Sequence, residues 1–147
     1  MVSPGEEDAK RMAEPHTGTL TFLFTDIEGS TRLWERNPKA MSEALVCHDE
    51  ILRTAIEAHN GHVFKTVGDA FYAAFSTGPQ ALSAALDAQR ALHHAEWKET
   101  RPLRVRMALH TGAAEERAGD YFGPSLNRVA RLLSAGHGGQ VLMSLAT

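Results

Sequence analysis

From residue 19 onward the apolar positions change period several times, and each change marks an element. Thr19-Leu20-Thr21-Phe22-Leu23-Phe24-Thr25 is β-branched and aromatic, nearly continuously apolar on one face, and reads as an inner strand. Arg32-Leu33-Trp34-Glu35 looks helical. Asn37-Pro38 supplies an N-cap and a proline at the first helical position. Met41, Ala44, Leu45, His48, Ile51, Leu52, Ala55 and Ile56 then recur near every 3.6 residues, which predicts a long amphipathic helix ending before Gly61. The stretch from His62 to Phe75 is two β-prone runs meeting at Gly68-Asp69, a hairpin pattern. Thr77-Gly78-Pro79-Gln80 resembles a capping box and opens a second, alanine-rich helix that the pattern carries to about Trp97. Leu103, Val105, Met107 and Leu109 alternate with polar or small residues, as in a strand with one buried face, and Gly112 allows a turn into a weak return strand, Ala113 to Arg117. A loop from Gly119 leads to a helix opened by Pro124. Gly136, Gly138 and Gly139 close that helix before a last strand at Gln140 to Ser144.

This order predicts an α+β sandwich with a mixed or antiparallel sheet and helices on one face. Residues 1–17 are polar, lack periodicity and contain Pro4, Gly5 and Pro15, so they read as a flexible leader before a domain at 18–147.

The 147-residue length gives one domain with a real core, and 43% hydrophobic against 22% charged residues is ordinary for a globular protein. The net charge is -3 and no Lys/Arg stripe forms, so nucleic acid is not an expected partner. No apolar run approaches the ~18 residues of a membrane span, and no signal-peptide core is evident, so the expected location is cytoplasmic. The single cysteine, Cys47, lies in the helical pattern and reads as a buried core thiol. His48 and His59 flank the same helix without a third ligand at zinc-site spacing.

Candidate chemistry gathers at three places. Asp26 ends the first strand, followed by Gly29-Ser30-Thr31 at a helix start, where backbone N–H groups suit phosphate oxygens; simple capping by Ser30 or Thr31 is the alternative. Lys65 and Asp69 flank the hairpin tip, either as a surface ion pair worth at most about 1 kcal/mol or as two catalytic charges. Asp26 and Asp69 are hard oxygen donors of the kind Mg²⁺ or Mn²⁺ prefers. Asn127 and Arg131, four apart on a helix, share a face, and Arg131 can clamp a phosphate; Arg128 is taken to point elsewhere.

Phe24 to Thr31, Lys65 to Asp69 and Asp120 to Arg131 together resemble the class III adenylate/guanylate cyclase catalytic domain. The resemblance covers about Gly18 to Thr147 and implies a ferredoxin-like βαββαβ core. It implies that Asp26, Asp69 and the Ile27 carbonyl hold two Mg²⁺ or Mn²⁺ ions. It also implies that Lys65 and Asp120 read adenine, Asn127 orients ribose, and Arg131 stabilises charge on the α-phosphate. The implied reaction turns ATP into 3′,5′-cyclic AMP and pyrophosphate for signalling, in a homodimer whose two sites draw residues from both chains. The family's domain usually continues with further strands and a helix, so the chain is expected to be a fragment of a longer, regulatory protein, with a shortened member of the family as the alternative. Its alternative role is a silent nucleotide-binding or dimerisation module. Ser30 stands where many members carry an aromatic residue. A diguanylate cyclase is disfavoured because Val67-Gly68-Asp69-Ala70-Phe71 lacks that family's signature, and the Lys65/Asp120 pair disfavours GTP.

Overall fold

The computed structural model describes residues 17–97, 100 and 102–147, so the expected leader lies almost wholly outside the described residues. The described elements are β1 (Thr17–Ile27), α1 (Ser30–Arg36), α2 (Pro38–Ala58), β2 (His62–Val67), β3 (Ala70–Phe75), α3 (Gly78–His94), β4 (Val105–Arg117), β5 (Asp120–Phe122), α4 (Pro124–Ser134) and β6 (Val141–Met143). Strands run in the order β2-β3-β1-β4-β5, with β6 also on β4, in one six-stranded sheet. Every pairing is antiparallel except β4 with β6. This is the expected α+β, ferredoxin-like architecture with a mostly antiparallel sheet.

The local signals hold. The Asn37 side chain accepts from the Ala40 N–H at 3.1 Å and Thr77 from the Gln80 N–H at 3.4 Å, so both long helices start at their capping residues. The second of them stops at His94, short of Trp97, whose indole N–H instead donates to the Leu92 carbonyl at 3.2 Å.

Alternation along the strands divides the core in two. Leu23 and Ile27 of β1, with Val105, Met107 and Leu109 of β4, face α2 and α3. Phe22, Phe24 and Ala108 face the other way, against Val129 and Leu133 of α4. Helices therefore cover both faces, which corrects the expected one-sided arrangement. The reason is that β1 is apolar on both sides, and a strand buried on both faces needs a layer on each.

Three further expectations change. Gly112 is not a turn: β4 runs unbroken through it, with Gly112 opposite Leu20 of β1. Asp120 to Phe122 form a short strand rather than a loop. Cys47 is half-buried, beside Glu43, Glu96 and Trp97 in a cavity of 340 Å³. Among the described residues no helix is long and apolar enough to cross a membrane.

The sheet curls strongly. Phe64 of β2 and Tyr121 of β5 sit at opposite ends of the strand order, yet their rings are 4.8 Å apart, and both meet Phe22, at 6.1 and 5.4 Å. The bulge between Val63 and Lys65 places Phe64 for this contact.

Candidate active site

Alternation decides what lies at the end of β1. Asp26 follows Phe22 and Phe24 on the face toward α4, and in register it stands opposite Arg106 of β4. The Arg106 guanidinium grips the carboxylate with both arms: Nε–H donates to Oδ1 at 2.7 Å and Nη2–H to Oδ2 at 2.5 Å. Both side chains are about a quarter exposed, at 27% and 23%. The bond to Asp26 is the main cause holding the Arg106 pKa above its ordinary value; Glu28 and Asp69 add attraction, and burial opposes it.

Asp69 reaches the same place from the hairpin. Its Oδ2 accepts from the Ile27 N–H at 2.7 Å. Two carboxylates 43 positions apart are thus brought to neighbouring residues at the end of β1. Among the described residues no cluster of three or more His, Cys, Asp or Glu side chains forms. Two hard carboxylates beside an exposed backbone turn nevertheless suit a divalent cation that completes its shell with phosphate oxygens and water.

Past this point the chain turns at Gly29, whose φ of +70° is a left-handed conformation that a side chain would strain, and Gly29 is the N-cap of α1. Ser30 already lies inside the helix, and no side chain caps it. The capping alternative for Ser30 and Thr31 is therefore excluded. Glu28 points away from this turn, its carboxylate accepting from the Gly138 N–H at 3.1 Å.

Lys65 does not pair with Asp69. Its Nζ lies 3.3 Å from Asp120 Oδ2, a contact the curl of the sheet makes possible. Asp120 is also steadied by its own strand, its Oδ1 accepting from the Tyr121 N–H at 2.8 Å. Burial raises the Tyr121 pKa, with Glu116 adding to it. The surface-pair reading of Lys65 with Asp69 thus gives way to two separate arrangements on one hairpin.

On α4, Asn127 and Arg131 are exposed. Arg131 lines a cleft of 510 Å³ together with Arg128, His110, Leu132 and Ser144. Arg128 therefore shares the cleft with Arg131, against the expectation that it points elsewhere. His110 is buried, with Nδ1 2.6 Å from Ser144 Oγ and Nε2 without a partner. Burial lowers its pKa, and Arg128 lowers it further. No described hydrogen bond joins Asn127 or Arg131 to the Asp26 and Asp69 carboxylates.

Sequence reasoning missed Arg106. The signal was there in part, since Arg104 and Arg106 alternate with Leu103, Val105 and Met107, but only the β1–β4 register reveals that Arg106 meets Asp26.

Residues 12–147 match the family model of the adenylate and guanylate cyclase catalytic domain. An uncharacterized protein of Mycobacterium tuberculosis is 42% identical over 135 residues, which cover 90% of this chain and 45% of that protein. An adenylate cyclase of Schizosaccharomyces pombe is 35% identical over 159 residues, covering 91% of this chain and 9% of that enzyme. The chain spans less than half the length of these relatives. Among solved structures, an adenylate cyclase from Trypanosoma brucei in its monomeric state superposes with a TM-score of 0.81 at 29% identity, covering 88% of this chain and 74% of that one. An adenylate/guanylate cyclase/hydrolase from Silicibacter pomeroyi does so with 0.80 at 28% identity, covering 90% and 78%.

Proposed function

The chain belongs to the adenylate and guanylate cyclase catalytic-domain family, and on that premise we propose that it converts ATP to 3′,5′-cyclic AMP and pyrophosphate. The observation that carries this reading is the Asp69 carboxylate bonded to the Ile27 N–H, at the residue next to Asp26 and beside an uncapped helix start. Adenylate cyclases among its relatives and structural neighbours support the same reading.

In this reading Asp26, Asp69 and the Ile27 carbonyl hold two Mg²⁺ or Mn²⁺ ions. The ions, when bound, ease deprotonation of the ribose 3′-hydroxyl and neutralise phosphate charge. The free N–H groups at Gly29, Ser30 and Thr31 face the phosphate oxygens. Lys65 donates to adenine N1 and Asp120 accepts from the exocyclic amine. Guanine, with a carbonyl and a protonated N1, presents the opposite pattern to this pair. Asn127 orients the ribose, and Arg131 meets the charge that grows on the α-phosphate as the 3′-oxygen attacks in line.

Asn127 and Arg131 sit on α4, with no described bond to the carboxylates. A homodimer in which each site takes Asp26 and Asp69 from one chain, and Lys65, Asp120, Asn127 and Arg131 from the other, accounts for that separation. The hairpin would then serve both sites, Asp69 in one and Lys65 in the other.

The test is purified protein with ATP or GTP and Mn²⁺, with products separated by chromatography. Cyclic AMP and pyrophosphate in equal amounts, lost in Asp26→Asn, are expected. Cyclic GMP as the main product would overturn the base assignment. ATP binding without turnover, lost in Lys65→Ala, would favour the silent module.

A further inference from the structure

We propose that Glu28 is a positioning residue: its bond to Gly138, in the loop between α4 and β6, holds the Gly29 turn in the shape that receives the substrate's phosphates. The proposal deepens the cyclase reading and rests on that turn as the phosphate site.

Glu28 stands between the Asp26 end of β1 and the turn at Gly29, and it is held twice. Its backbone N–H donates to the Arg104 carbonyl at 2.8 Å, one step past the last β1–β4 pair, Ile27 with Val105. Its side chain reaches across 110 residues, Oε2 accepting from the Gly138 N–H at 3.1 Å. Gly138 does not have a left-handed backbone, so its conformation alone does not call for glycine. The close approach does: a Cβ there would collide with Arg104 Cβ and stand 2.5 Å from Glu28 Oε2. The loop itself is fixed, with the Gly139 N–H donating to the Val105 carbonyl at 2.9 Å and the His137 N–H to Gln140 Oε1 at 2.8 Å. Glu28 is therefore tied to an anchored segment.

The turn has little else to hold it. Among the described hydrogen bonds, the two at Glu28 are the ones that tie residues 28–31 to a distant part of the chain. The α1 helix that follows buries none of its side chains fully. Backbone N–H groups bind a phosphate well only while they converge on one point, and a misplacement of about 1 Å can cost on the order of 100-fold in rate. The bond to Gly138 also turns the Glu28 carboxylate away from the phosphate side. Released, it would add a negative charge near Asp26 and Asp69 and oppose an incoming polyphosphate.

The test needs no turnover. Binding of inorganic triphosphate with Mg²⁺ to the whole chain is measured by calorimetry, and the Gly138 N–H is followed by amide hydrogen exchange. Glu28→Gln keeps an acceptor at the same reach without the charge, and its affinity should stay within about twofold of the unaltered protein. Glu28→Asp keeps the charge but is one methylene too short, and Glu28→Ala keeps neither; both should bind about tenfold more weakly. Gly138 exchange should quicken by about tenfold in Glu28→Asp and Glu28→Ala and stay slow in Glu28→Gln. Gly138→Ala should weaken binding as Glu28→Ala does, and the double variant should lose no more than about twofold beyond either one. Thermal melts establish that each variant is folded. Equal losses in Glu28→Gln and Glu28→Ala, additive losses in the double variant, or Gly138 exchange indifferent to Glu28→Ala would overturn the tether. Unchanged triphosphate affinity in Glu28→Ala would overturn the positioning role alone. An unaltered protein that binds no triphosphate would overturn the phosphate site itself, and with it the cyclase reading.

Discussion

Gly112 offers a quantitative check on how α4 is seated. Its backbone is ordinary strand, so only the space around it matters. A methyl group there would collide with Ser125 Oγ, lie 3.0 Å from Ser125 Cβ and 3.2 Å from His110 Nε2. Ser125 cannot simply rotate away. It is 8% exposed and its hydroxyl donates to the Ala113 carbonyl at 2.8 Å. Gly112→Ala must therefore either break that bond or lift the first turn of α4 from the sheet. Overpacking of this kind costs about 1–3 kcal/mol. At roughly 3–4 °C per kcal/mol for a chain of this size, the melting temperature should fall by about 3–12 °C. Because α4 carries Asn127 and Arg131, cyclase activity should fall more steeply than ATP binding. Adding Ser125→Gly removes the obstructing side chain, so the double variant should be more stable than the sum of the single effects by about 0.5–3 kcal/mol. Melting curves and single-turnover assays on the four proteins give the answer. A Gly112→Ala protein that melts within about 1 °C of the unaltered one, or strictly additive effects, would refute the packing argument.

Mixing Asp26→Ala with Arg131→Ala, each inactive alone, should restore part of the activity if two chains share each site; no recovery in mixtures where heterodimers demonstrably form would count against sharing. Lys65→Glu combined with Asp120→Asn reverses the donor and acceptor pattern offered to the base, and kcat/KM for ATP should drop by about 10- to 150-fold while GTP use rises; a proportional loss for both nucleotides would sink the base-reading role. Burial lowers the His110 pKa below its ordinary 6.5, so the folded state resists protonation and the unfolded chain binds the extra proton. Stability should therefore fall as pH drops through 6.5 and level off below the lowered value. Melting temperatures at acid and neutral pH should differ less in His110→Asn, and an equal difference would show that His110 is not the titrating group.

Much of the fold was legible because its causes are local. Asn37-Pro38 and Thr77 announce the starts of the two long helices, and the 3.6 period of Met41 to Ile56 describes a helix before any partner is known. The run Phe22-Leu23-Phe24 likewise announces a strand, and Gly68-Asp69 a hairpin. Residue chemistry and spacing pointed to Asp26, Lys65, Asp69, Asn127 and Arg131, and motif resemblance added Asp120 and a role for each. What those residues touch depended on pairings between distant segments. Local pattern read Gly112 as a turn, but β1 offers a partner for every residue of β4 from Val105 to Glu115, so the strand continues. It placed Lys65 beside Asp69, but the curl of the sheet carries Lys65 to Asp120, 55 residues away. It was silent on Arg106, which only the β1–β4 register brings to Asp26 across 80 residues. Periodicity and capping arise within one or two turns of chain and can be read from sequence. Register, sheet curvature and charge pairing arise from packing distant segments together, and only the tertiary structure decided them.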